Sequence, residues 1–368
     1  MDMSKFLVDE YFERYEKQAK FMMGSSDPES LFLKEAVFDF SKYKDIQLGY
    51  SLENGYFPLI KKLSLLYTSL NEKNIAVMNG GEETIYTTMR ALLASEDEII
   101  VHQPSFQSLS VIAREIGCKI VEFSPSFEDK WKFDINLLES KITENTKAII
   151  LNYPHNPTGA CLTNSEMKEI VQACRSKNII LISDEVYRFL SIKDGYSTKS
   201  FADLYENAIA LGSFSKTFAS PALRLGWIAT KNTKLMKKIL AYRHFTSTCM
   251  NILSQIAGSE ILDNAEKIIQ RNNSITKENA ILLDEFIKRH KNLFEYVPPK
   301  GATTAYVKLS DQRNSMDFCM ELLKETGVLI VPSIVLEKKD NFLRIGLGRK
   351  NFAEALNRVE KFLGGMTK

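Results

Sequence analysis

Short apolar runs rich in β-branched residues recur along the middle of the chain, separated by longer stretches in which apolar residues return at helical spacing. From residue 98 onward, EIIVHQP, KIVEFSP, KAIILNYP, IILISDE, AIALGSFS and LGWIAT read as strands buried on both faces. The stretches between them are long enough for crossover helices. One of these, TNSEMKEIVQACRSKN, opens with Thr163 and Glu166 at the spacing of a capping box. Such alternation predicts an α/β fold with a largely parallel central sheet covered on both sides. Ligands of these folds sit at the carboxyl ends of the strands, so the residues that end them are the first candidates for chemistry.

The flanks differ. Residues 1–25 place Phe6, Leu7, Tyr11, Phe12 and Tyr15 at helical spacing, predicting one amphipathic helix, and GSSDPES at 24–30 reads as a loop. In LGYSLENGYFPLIKKLSLLY a glycine turn leads to a helix start at Pro58. Beyond Trp227 a long helical run over 264–290 precedes FEYVPPKGATTAYVKLS, VLIVPS and NFLRIGLGR, the pattern of a smaller α+β unit. The expected division is an arm over 1–45 packed with the small domain, a large domain over 46–245 and a small domain over 246–368.

A chain of 368 residues suits this pair of domains. With 48 basic against 46 acidic residues and a net charge of +2, no nucleic-acid or membrane surface is indicated, and a small-molecule partner is expected. Five cysteines without CxxC spacing predict reduced thiols and a cytoplasmic location, and four dispersed histidines predict no metal site. No apolar run has the length of a membrane span or the form of a signal peptide.

Candidate chemistry centres on SFSKTFASPALRLGW, residues 213–227. Lys216 follows the buried strand AIALG among Ser213, Ser215 and Thr217, with Arg224 eight positions on. An ammonium at such a strand end must be paired or neutralised by covalent chemistry. Hydroxyls and a guanidinium beside it describe a site for a phosphorylated carbonyl compound. NGGEETIY places Gly80, Gly81 and Glu82 at the start of a helix whose free N–H groups would favour an anion. Asp184 closes the apolar strand IILISDE, where a carboxylate needs a partner. Arg344, between apolar neighbours in NFLRIGLGR, wants a carboxylate for its planar fork, with Arg349 as a second candidate.

These motifs together resemble the class I and II aminotransferases, the pyridoxal-phosphate enzymes of fold type I, over most of the chain from Tyr50 to Arg344. The resemblance implies that Lys216 holds pyridoxal phosphate as a Schiff base and moves the substrate proton. It further implies that Ser213, Ser215, Arg224 and the Gly80–Gly81–Glu82 turn hold the cofactor, and that Phe106 of HQPSFQS stacks on its ring. Asn156 of NYPHNPTG and Tyr187 would hydrogen-bond the ring hydroxyl, and Asp184 would pair with the ring nitrogen. Arg344 and Asn156 would bind the substrate. Tyr50, in a Tyr-x-x-x-x-Gly motif, would reach the cofactor phosphate of a neighbouring subunit, implying a homodimer with shared sites. The implied activity is transfer of an amino group from an L-amino acid to a 2-oxo acid.

A weaker resemblance, to the capreomycidine synthases and arginine oxidases, rests on GSSDPES and its preceding aromatic-rich segment. Thr303 and Thr304 stand where many transaminases carry apolar or aromatic residues. That likeness implies a lyase, cyclase or oxidase, with Ser25 and Asp27 at the substrate and Asp27 and Glu29 facing a cationic side chain. A ligand-sensing module on the same fold is a third reading. It is disfavoured by the full residue set and by the absence of a helix-turn-helix pattern.

Overall fold

The computed structural model describes residues 6–36, 39–310, 313–338 and 341–366. Its larger sheet has seven strands: β1 Ile75–Met78, β2 Glu98–His102, β3 Lys119–Phe123, β4 Thr146–Asn152, β5 Ile180–Asp184, β6 Ala208–Ser213 and β7 Gly226–Ala229. They lie in the order β1-β7-β6-β5-β4-β2-β3. The pairs β2–β3, β2–β4, β4–β5 and β5–β6 are parallel, and only β7 runs against its neighbours β1 and β6. Alternate residues feed two cores, as a sheet covered on both faces requires. Ile99, Val101, Ile150 and Ile182 pack on one side with Ile85 and Met89 of helix Gly80–Leu92. Ile100, Ile149, Leu151 and Leu181 pack on the other with Ile170 and Val171 of helix Asn164–Ser176. The expected capping box is formed there, with Thr163 and Glu166 each satisfying the other's backbone N–H.

The second sheet joins β8 Phe294–Tyr296, β9 Thr304–Leu309, β10 Val331–Pro332 and β11 Phe342–Gly346 in the order β10-β11-β9-β8, all antiparallel. Its core combines Val307, Leu343 and Ile345 with Phe286 of the long helix Ala265–Arg289, and with Phe318 and Phe352 of two further helices.

The amino-terminal helix is shorter than the periodicity predicts. It spans Leu7–Tyr15, and residues 1–5 lie outside the described set. After one further turn the backbone becomes extended, because tertiary pairing supplies better hydrogen bonds than another helical turn. Lys20 and Phe21 donate to the Gly327 carbonyl at 2.8 and 3.0 Å, Leu329 donates to Phe21, and Gly24 donates to Leu329 at 2.7 Å. Phe21 and Met23 thereby enter the core of the small sheet. Gly346 donates to the Met23 carbonyl at 2.6 Å, and a Cβ on Gly346 would lie 1.8 Å from the Ser25 carbonyl oxygen. Only glycine lets the chain pass so close to β11, and that passage sends residues 25–27 toward the carboxyl ends of the large sheet.

Candidate active site

The carboxyl ends of β4, β5 and β6, with the start of helix Gly80–Leu92, enclose a cleft of about 260 Å³. At one end β6 stops at Ser213, whose Oγ lies 3.0 Å from Ser215 Oγ and accepts the Ser215 N–H at 3.1 Å. Arg224 is held in a left-handed conformation with φ +48° and donates to the Pro221 carbonyl at 3.1 Å. Gly80 also has positive φ, +82°, and a Cβ there would lie 2.7 Å from Arg224 Nη2. The guanidinium therefore rests on the helix start. Two hydroxyls, a guanidinium and the free N–H groups of a helix start stand together at this end of the cleft, a set whose chemistry suits an anion.

The other end is built from strand-closing amides and acids. Asn156 donates its N–H to Asn152 Oδ1 at 2.9 Å, and Asn152 Nδ2 donates to the Asp184 carbonyl at 3.1 Å. This pins the loop after β4 to the end of β5. Asn156 Oδ1 lines the cleft, buried and without a hydrogen-bond partner. Asp184 is 3% exposed, accepts the Val186 N–H at 3.2 Å and has no ion pair among the described residues. Burial pushes its carboxyl up to about 7, and the Val186 hydrogen bond offsets only part of that. Phe106 lines the same cleft and meets Phe6 of the amino-terminal segment edge-on at 5.7 Å.

Lys216 enters between these ends. Its Nζ donates to Ser26 Oγ at 2.9 Å and forms an ion pair with Asp27. The loop that brings these partners is fixed from both sheets. The Ser26 carbonyl accepts from Thr303 Oγ1 at 2.6 Å and from the Tyr187 hydroxyl at 3.2 Å. Glu29 donates its N–H to Gly348, and Leu31 to Ala219. Tyr187 thus spends its hydroxyl on the loop, with its ring 5.9 Å from Lys216 Nζ.

The predicted substrate residues divide. Asp27 lines the cleft, whereas Ser25 sits behind it, its hydroxyl directed to Asp27 Oδ2 at 3.3 Å and accepting from Arg349 Nη2 at 3.0 Å. The Glu29 carboxylate accepts the Lys350 N–H instead of facing the cleft. Arg344 is buried at 2% exposure and gives Nε and Nη2 to the Gly24 carbonyl at 3.3 and 3.1 Å. Burial holds its basicity below the usual value, and Tyr187 and Asp27 oppose that. Tyr50 is 92% exposed and stands away from this cleft.

The sequence reading overlooked Asn152 and Ser26. Asn152 could have been found by the reasoning applied to Asp184, since both are polar residues that close apolar strands. His155, one of the four dispersed histidines, is given no ligand-binding role by the sequence-based expectation. It is buried and neutral, lowered to about 3 by desolvation, and bridges Thr158 Oγ1 at 2.6 Å to the Pro104 carbonyl at 2.7 Å. It therefore ties the loop of Asn156 to the loop of Phe106.

These residues fit pyridoxal phosphate by their own chemistry. The orphaned Asn156 Oδ1 can accept from a ring hydroxyl, the uncompensated Asp184 suits a protonated ring nitrogen, and the cradle at Gly80 and Arg224 suits a phosphate. The fold is that of the pyridoxal-phosphate-dependent transferases of fold type I. The profile of the aminotransferase class I and II family matches residues 33–359, and the chain belongs to that family. Its relatives include an aspartate aminotransferase of Pyrococcus horikoshii, 32% identical over 307 residues that cover 80% of this chain and 76% of the relative. A solved PLP-dependent aminotransferase from Streptococcus suis superposes with a TM-score of 0.92 at 28% identity, covering 99% of this chain and 98% of that one. The PLP-dependent cyclase OrfR superposes equally well, TM-score 0.92 over 100% of this chain and 98% of its own, but at 20% identity it shares the fold alone.

Proposed function

We propose that this chain transfers the amino group of an L-amino acid to a 2-oxo acid, with Lys216 as the residue that holds the cofactor and carries the substrate proton. The observation that carries this reading is Asp184: a buried carboxylate with no ion pair among the described residues, lining the same cleft as Lys216. Bound there, pyridoxal phosphate supplies an electron sink for the pair left at the substrate Cα. The chain's own residues do the rest. Asp184 keeps the ring nitrogen protonated, and Ser213, Ser215, Arg224 and the Gly80–Gly81–Glu82 turn hold the phosphate end. Phe106 would cover one ring face, and Asn156 would orient the ring hydroxyl, joined by Tyr187 once its hydroxyl leaves the Ser26 carbonyl. Arg344 takes the substrate carboxylate, for which it must exchange its bond to the Gly24 carbonyl. Lys216 would take the proton from the substrate Cα as a general base and give it back as a general acid. Tyr50 is exposed as a residue that completes a second subunit's site would be, which supports a homodimer. Among the described residues no helix is long and apolar enough to cross a membrane.

The test is an absorbance titration of the cofactor-loaded protein with single amino acids. A substrate is expected to bleach the visible band of the bound cofactor, and a 2-oxo acid to restore it. No spectral response to any amino acid, or bleaching that no 2-oxo acid reverses, would sink the reading.

A second reading concerns the substrate. Asp27 presents a carboxylate to the cleft, which disfavours acidic side chains and suits a cationic one such as that of arginine, whether the product arises by transfer or by elimination, cyclisation or oxidation. Asp27→Ala is expected to raise the KM for arginine roughly tenfold or more while leaving that for an uncharged amino acid within about twofold, since a hydrogen bond to a charged group contributes about 1.5–3 kcal/mol. Equal effects on both substrates would end this reading.

A further inference from the structure

The contact between Lys216 and residues 26–27 has a use beyond the substrate. A lysine that is to bond an aldehyde must first present a neutral amine, yet this one sits between a hydroxyl and a carboxylate on a loop fixed at Gly24, Ser26, Glu29 and Leu31. We infer that Ser26 and Asp27 form a holding site for the free Lys216 amine, and that capture of the aldehyde cofactor waits on its release from Asp27. The inference rests on the cofactor reading given above.

The surroundings of the amine support it. Burial alone would favour the neutral amine, but the charge of Asp27, its hydrogen bond and Tyr187 outweigh it and hold the Lys216 ammonium above its ordinary range. Arg344 opposes them. Asp9 of the helix Leu7–Tyr15, Glu82 of the helix Gly80–Leu92 and Asp184 of β5 also face the lysine and add negative charge. Asp27 itself loses solvation, yet Lys216, with further help from Arg349 and Ser25, keeps it ionised below the usual carboxylate range. Each partner thus holds the other charged.

The chemistry follows directly. The ammonium gives one proton to solvent, and the amine nitrogen adds to the aldehyde carbon. The new carbon–nitrogen double bond replaces the carbonyl, whose oxygen leaves with the two remaining amine protons as water. At neutral pH the reactive fraction falls about tenfold for each unit by which the amine is held above its free value. Removing the Asp27 charge leaves burial as the dominant influence, so the amine becomes neutral at lower pH and reacts sooner.

Stopped-flow absorbance of cofactor-free protein mixed with pyridoxal phosphate tests this through the growth of the visible band. Asp27→Asn, nearly the same shape without the charge, is expected to speed capture about tenfold at pH 7 and to move its pH profile toward lower pH. Asp27→Glu is expected to restore the slow profile. Glu29→Gln lies on the same loop with its carboxylate turned to Lys350 N, and it should leave capture unchanged. An Asp27→Asn rate and profile identical to wild type would overturn the inference, as would equal acceleration by Glu29→Gln, which would point to loop packing instead. If wild type develops no band at all, the cofactor reading falls and this inference falls with it.

Discussion

Alanine at position 216 is expected to lower turnover of every amino donor by about 10⁴-fold, the upper end of what a positioned general base contributes, because in the proposed mechanism the same amine also bonds the cofactor. Borohydride reduction followed by mass measurement should add a phosphopyridoxyl group, the cofactor's mass less its aldehyde oxygen, to wild type at Lys216 and nothing to the variant. The structure complicates a simple reading of that result. Lys216 is also the ion-pair partner of Asp27, so its loss leaves a carboxylate about a third exposed in the cleft with only the weaker influence of Arg349 to offset its charge. Lys216→Arg separates the two effects. It keeps a charge near Asp27 but offers no amine that becomes neutral near pH 7. Turnover lost to the same extent in both variants, with the folded state retained in Lys216→Arg, is the expected outcome. Turnover persisting in Lys216→Ala would remove the lysine from the mechanism.

The parts of this site that could be read in the chain are those where function and a strand end coincide. Asp184, Ser213 and Asn156 follow apolar runs of β-branched residues, and the alternation of such runs with helical segments predicts the sheet that aligns their ends. The local pattern holds the information because a parallel sheet places its strand ends together whatever the loops do. Asp27 is different. It reaches Lys216 across 189 positions of sequence, through a passage made possible by Gly346 and by backbone pairing of residues 20–24 with the segment after Gly327. The apolar spacing of residues 6–15 continues plausibly into a longer helix, and only the tertiary hydrogen bonds at Gly327 and Leu329 stop it. For the same reason the sequence could not separate Asp27 from Glu29: both are loop carboxylates, and which one turns inward depends on Gly348 receiving the Glu29 N–H. Arg344 was legible as a buried cation needing a partner, whereas its present partner, the Gly24 carbonyl, belongs to that same unpredicted passage.

Asp184→Asn is expected to act in opposite directions on stability and on function. In the cofactor-free chain the Asp184 carboxyl is raised from 3.8 to about 7, chiefly by burial. A carboxyl that binds its proton more tightly folded than unfolded lowers stability as pH rises between those two values, and the penalty is complete above the higher one. The displacement corresponds to roughly 4 kcal/mol, with a smaller value expected where the site relaxes or admits water. Wild-type protein without cofactor should therefore lose thermal stability between about pH 4 and pH 7 through this residue, and Asp184→Asn should flatten that slope and melt higher at pH 8. A cationic ring nitrogen reverses the balance, because a buried carboxylate that gains a partner no longer pays for its isolation. Cofactor should thus stabilise wild type more than the variant at pH 8. The variant should bind it more weakly and turn over about 10²–10³-fold more slowly, as when one preorganised electrostatic partner is removed from an enclosed site. Melting curves across pH, with and without pyridoxal phosphate, read both effects in one experiment. If Asp184→Asn destabilises the cofactor-free protein at pH 8 as much as at pH 4, the carboxylate is a structural element of β5 and its assignment to the ring nitrogen fails.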